Sequence, residues 1–195
     1  MESSSYRWGR IIDTSMFYTH IVLLLIFFYY QVTPMVIVNL FSVTCYAILS
    51  VVLKRNPSVF LLVFIAEVLI HMVLATTFVG LGCGFQYYAF VLPPIAFFCD
   101  YSLKRDGFKN IHPEIVCVIV MLAFILSISM GMPRMDGIYA IKEKSAQVLT
   151  IINGAGVLFS LTFFCGYYIS SIMTAEKKLT QSAEYDELTG LANRH

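Results

Sequence analysis

The stretch PSVFLLVFIAEVLIHMVLATTFVGL, residues 57–81, decides the fold class. Its only ionisable side chains are Glu67 and His71, and the rest is apolar or small and uncharged. A helix rising 1.5 Å per residue needs about 20 such residues to cross about 30 Å of hydrocarbon, so this run predicts a membrane span. Five further runs approach or exceed that length, at 15–32, 34–53, 85–101, 113–130 and 148–173. They predict an all-α membrane protein with six transmembrane helices over 15–173, preceded by a polar segment, 1–14, and followed by a linker helix, 174–185. Composition agrees, since 58% hydrophobic and 13% charged residues are not the balance of a soluble domain. Thirteen Lys and Arg against twelve Asp and Glu leave a net charge of +1, without the basic excess that a nucleic-acid partner requires.

The connections predict an orientation, because short cytoplasmic loops collect Lys and Arg. Arg7 and Arg10 precede the first span, Lys54 and Arg55 follow the second, Lys104, Arg105 and Lys109 the fourth, and Lys177 and Lys178 the sixth. The loops after the first and third spans hold no basic residue. Only the loop 131–147 departs from this pattern, with Arg134, Lys142 and Lys144 offset by Asp136 and Glu143. Both termini are therefore expected in the cytoplasm, with Tyr6 and Trp8 as interfacial aromatics. The first span is read as retained, because it ends in Tyr29, Tyr30, Gln31, Val32, Thr33 and Pro34 without a small-residue cleavage site. Pro93 and Pro94 predict a kink within the fourth span. The alternating glycines Gly80, Gly82 and Gly84 predict a tight outer turn. Five cysteines lie in or beside apolar runs without C-x-x-C spacing and read as inert buried thiols.

Ionisable groups inside a span cost about 3 kcal/mol or more unless paired or hydrated, so each needs a reason. Glu67 and His71 are four apart, on one helix face and within pairing reach. Counting along the spans puts Asn39, Gln86 and Asn153 in the outer half as well. These five, with Tyr87 and Tyr88, form a candidate membrane pocket for a small extracellular or lipid-derived ligand. The alternative is that they bond one another and hold the bundle together. The same count separates His20 from His71 by about 12 Å in depth, too far for two axial ligands of one haem. Glu67 and His71 alone are too few for a metal site. Asp100 is placed at the water boundary.

The sixth span and the residues after it read as a connector. Gly156 and Ser160 form a small-x-x-x-small pair that permits close helix approach, and Ile172, Leu179 and Ala183 lie on a thin heptad seam. These five are candidate dimer contacts. Beyond them stand Asp186, Glu187, Leu188, Thr189, Gly190, Leu191, Ala192, Asn193 and Arg194. That string resembles, at every specified position, the D-x-L-T-G-L-x-N-R lead-in of the GGDEF family, the bacterial diguanylate cyclases. His195 stands where the family usually has a further Arg.

The resemblance implies a truncated start of a GGDEF-like domain over 186–195, with Asp186, Leu188, Thr189, Gly190, Leu191, Asn193 and Arg194 as a domain junction. No catalytic residue lies in this chain, which lacks the family's catalytic signature and is expected to be inactive alone. GTP and Mg2+ are implied for the missing cyclase domain, which joins two GTP molecules into cyclic di-GMP as a homodimer. The expected setting is the bilayer of a bacterial inner membrane. Two other functions fit the residues: a small transporter or channel using Glu67, and a passive membrane anchor.

Overall fold

Residue 15, where hydropathy starts the first span, lies well inside a helix. In the computed structural model, which describes residues 3–131, 139 and 141–184, helix α1 runs Ser4–Tyr29. The Ser3 hydroxyl accepts the Tyr6 N–H at 3.2 Å, and the Asp106 carboxylate accepts the Ser5 N–H at 2.6 Å. These bonds satisfy donors that a first turn leaves open. Packing completes the early turns. Trp8 is 1% exposed and sits 6.4 Å from Phe60 and 6.5 Å from Phe98. A side chain at Gly9 would collide with Leu53. From residue 4 onward the segment expected to be polar is thus part of a packed helix, and Trp8 is a core residue. Arg7 and Arg10 lower the local hydropathy, but the helix turns them outward while Trp8 and Ile12 turn in.

A tight turn, with Gln31 in the left-handed region at φ 57°, leads to α2, Thr33–Arg55. Helix α3, Pro57–Val79, starts on Pro57 and is capped by Asn56, whose side chain accepts the Val59 N–H at 3.2 Å. It is the central helix, packed against α1, α2 and the two helices that come after it.

The glycine-rich turn after α3 is built as expected. Gly80 and Gly84 take φ values of 85° and 78°, flanking a 3-10 turn at Leu81–Cys83. The predicted fourth span differs from expectation. It consists of a 3-10 stretch, Phe85–Phe90, and then α4, Leu92–Arg105, about 21 Å long. Pro93 and Pro94 fall in the first turn of α4, where missing N–H groups cost nothing, so they start a helix instead of kinking one.

Helices α5, Pro113–Gly131, and α6, Glu143–Glu184, complete the chain. Among the described residues, five helices, α1, α2, α3, α5 and α6, are long and apolar enough to cross a membrane. Among the described residues there is no strand, and the all-α reading holds. The outer surface is apolar, with Phe41 74%, Ile151 70% and Phe159 73% exposed, as a lipid-facing surface requires.

The basic stretches predicted for one side converge at one end of the bundle. Ser58 donates to the Lys109 carbonyl at 2.6 Å, and Arg7, Arg105 and Lys178 line one cavity. Asp100, placed at the water boundary from sequence, is 3% exposed. It accepts the Ile111 N–H at 2.9 Å and pairs with Lys104 at 2.6 Å, stapling α4 to the segment before α5. The five thiols are free as expected, but Cys165 is exposed on α6 and only Cys83 and Cys99 are fully buried. The junction residues Asp186, Leu188, Thr189, Gly190, Leu191, Asn193 and Arg194 lie outside the described residues, as do Arg134 and Asp136.

Candidate functional site

Glu67, at the middle of α3, faces the seam with α1 and α2. Its carboxylate accepts the Ser42 hydroxyl at 2.5 Å and the Tyr46 hydroxyl at 2.6 Å. His20 Nε2 lies 3.4 Å from Glu67 Oε2, within ion-pair reach but without hydrogen-bond alignment. On its other side, His20 Nδ1 is 3.1 Å from Asn39 Oδ1. The Asn39 amide donates to the Met35 carbonyl at 2.7 Å, which leaves its oxygen to accept. His20 Nδ1 must therefore carry a hydrogen. If the ring is neutral, its Nε2 lone pair then faces a carboxylate oxygen. His20 and Glu67 thus bring an imidazole and a carboxylate together at ion-pair distance in the middle of the bundle.

The His20 ring also stacks on Tyr46 at 5.3 Å and meets the edge of His71 at 4.8 Å. His71 is 6% exposed, and its Nε2 has no hydrogen-bond partner. Both histidines line a cavity of about 20 Å³, sized for one water-sized group. The sequence-based depth of His20 is thereby corrected. α1 begins at Ser4, so His20 sits mid-helix and touches His71 instead of lying about 12 Å from it. The rings are in direct contact, leaving no room for iron between them. Glu67 directs both its hydrogen bonds to α2 and faces His20 of α1 instead of His71.

Met16, Thr19, Val68 and Tyr88 are shared between this small cavity and a larger one of about 420 Å³. The larger cleft has apolar walls from α1, α3, α4 and α6, and Ile11 and Phe159, both well exposed, stand on the α1 and α6 sides of its mouth. Its size falls within the range of about 300–1,000 Å³ typical of small-molecule pockets.

α6 is fixed above and below this cleft. At the glycine-turn end, Asn153 donates to the Cys83 carbonyl at 2.7 Å and accepts the Tyr88 hydroxyl at 3.2 Å, while Thr150 donates to the Gly82 carbonyl. Toward the basic end, Phe98 packs edge-on against Tyr167 at 5.2 Å and Tyr168 at 6.0 Å. Between these attachments, Gly156, Phe159, Ser160 and Phe163 face the cleft.

The structure thus sorts the sequence candidates into three groups. Asn39, Glu67 and His71 join in one cluster. Tyr88 and Asn153 form the latch on α6. Gln86 only donates to the Leu81 carbonyl, and Tyr87 lies against Gly84. Gly156 and Ser160 line the intramolecular cleft, while Ile172 and Leu179 are 38% and 72% exposed. Ala183 also lies on α6. Sequence reasoning misplaced His20 and missed Ser42, Tyr46 and the buried Asp13. Ser42 and Tyr46 stand three and seven residues after Asn39, so projecting the second helix onto a wheel finds them. Among the described residues no three His, Cys, Asp or Glu side chains are arranged to hold a metal ion. No protein-family model, curated protein or solved structure matches the chain.

Proposed function

We propose that this chain is the membrane sensory and anchoring module of a diguanylate cyclase, and that α6 carries its output. The observation that supports this reading is the continuity of α6. One 42-residue helix, about 63 Å long, runs from the latch, past the cleft, to Glu184. Residues 186–194, with their resemblance to the GGDEF lead-in, come immediately after it. A small apolar or lipid-derived ligand entering the cleft from the bilayer presses on α6 between its two attachments. It acts by binding one position of α6 better than another. His20 and His71 at the inner end give such a ligand a polar contact. In this reading the termini face the cytoplasm of a bacterium, and two copies pair to bring two GTP-bearing domains together. GTP and Mg2+ belong to the domain implied after Arg194.

The test begins with the coding sequence beyond His195, where an in-frame G-G-D/E-E-F signature is expected. Membranes containing the complete product then convert GTP to cyclic di-GMP, and Gly156→Trp, which fills the cleft, changes that rate at least about threefold. Absence of the signature or of cyclic di-GMP sinks the reading.

A second reading, proton transfer, is favoured by the His20, Glu67 and His71 cluster and by the buried carboxylate of Asp13. Liposomes with an internal pH dye decide it. Proton flux abolished by Glu67→Gln would establish transfer, and no flux above empty liposomes would remove it.

A further inference from the structure

We infer that the basic end of the bundle carries a binding site for a phosphate ester, set between the first turn of α1, the end of α4 and α6 where it leaves the bundle. A cavity of about 520 Å³ lies there. Three cationic side chains from three helices line it, Arg7, Arg105 and Lys178. The one acid in its wall, Asp106, is already engaged. One of its oxygens accepts the Ser5 N–H at 2.6 Å, and the other lies 3.9 Å from Arg105 Nε. No ion pair among the described residues engages Arg7 or Lys178. The wall therefore keeps two positive charges that nothing in it neutralises.

The remaining lining fits the same chemistry. Ser170, Ser171 and Thr174 bring hydroxyls to the α6 side. Arg105 is held in place by stacking 5.8 Å over Tyr101 and by donating to Ser171 at 3.5 Å. Guanidinium forks and hydroxyls arriving from several directions suit the several oxygens of a phosphate better than the two of a carboxylate. The apolar runs begin at residue 15 and end at residue 173, so Arg7 and Lys178 lie about 12 Å and about 8 Å of helix beyond them, at head-group level. The ester can come from an anionic phospholipid or from a soluble phosphate. Either one ties α6 to α1 and α4 at the point of exit. This inference stands on the cavity and does not depend on the cyclase reading.

The purified full chain in detergent is mixed with phosphatidylglycerol or phosphatidylcholine, and retained lipid is measured by native mass spectrometry. Inorganic pyrophosphate serves as the soluble probe. Expected is retention of phosphatidylglycerol at least about fivefold tighter than of phosphatidylcholine, weakened about fivefold by Arg7→Gln or Lys178→Gln. Lys178 is exposed on α6, so its replacement leaves the bundle folded, which circular dichroism verifies. Lys54→Gln, at the same end but outside the cavity, leaves retention unchanged. Displacement by pyrophosphate assigns the ester to a soluble source, and resistance to it assigns a lipid. Equal retention of both lipids without pyrophosphate binding overturns the inference. So does an equal loss in Lys54→Gln, which marks unspecific attraction.

Discussion

Glu67 receives two hydroxyl donors and faces His20, so it is the residue whose removal strands the most partners. Tyr46→Phe deletes one bond and should lower stability by about 1 kcal/mol. Glu67→Ala leaves Tyr46 without its acceptor, Ser42 with only the Val38 carbonyl and His20 without the carboxylate it faces, and about 3 kcal/mol or more should go. Glu67→Gln falls between, because one oxygen becomes a donor facing donors. Unfolding in mixed micelles reads the order directly, and equal small losses in all three would contradict the network. Glu67, His71 and Asn39 were legible because a charge or amide in hydrocarbon demands a reason. Ser42 and Tyr46 gave no such signal, since hydroxyls are cheap to bury when they bond their own helix or a neighbour. His20 was misplaced for one cause, the early start of α1 at Ser4.

At the scale of elements, the glycine turn and α6 set the shape of the cleft. Gly84 has φ 78°, and a Cβ there would stand 3.1 Å from Thr150 Cα of α6. Gly84→Ala therefore strains the backbone by about 1–2 kcal/mol and pushes α6 off the latch. Gly82 and Ala146 supply the measurement. A Cβ on Gly82 lies 3.8 Å from that of Ala146, suitable for a disulfide in the double variant Gly82→Cys, Ala146→Cys. That bond should form readily on oxidation, and adding Gly84→Ala should reduce its yield several-fold. An unchanged yield would show that the latch does not depend on this close approach.

Helices α2, α3 and α5 were legible almost to the residue, because long apolar runs bounded by proline or charge leave few alternatives. The run 85–101 was not, because its hydropathy hides the positive φ of Gly84 and the helix-starting prolines. The sixth span and the linker run on as one helix, since helix formers continue through Glu184. Glu176→Pro, in that exposed stretch, costs the helix about 3 kcal/mol locally. It should leave bundle stability unchanged while making the cyclic di-GMP output of the complete protein insensitive to Gly156→Trp. Retained sensitivity would remove α6 as the relay.

At the scale of the whole molecule, Arg7, Arg105, Lys109 and Lys178 converge at one end, which the proposed topology assigns to the cytoplasm by the charge rule. With the native cysteines replaced, a cysteine at Asn56 should resist an impermeant maleimide added to intact cells, and one at Gly82 should react. The reverse pattern would invert the proposed topology. What no sequence pattern reveals is how the faces meet, and the cleft exists only because α6 touches the bundle at two levels and stands away between them. The most direct measurement is the distance between spin labels at Tyr18 on α1 and Ile169 on α6, both exposed, in the parent chain and in Gly156→Trp. If filling the cleft moves α6, the distribution shifts by at least about 1–2 Å. Superimposable distributions would contradict a cleft that drives α6, and with it the sensory reading.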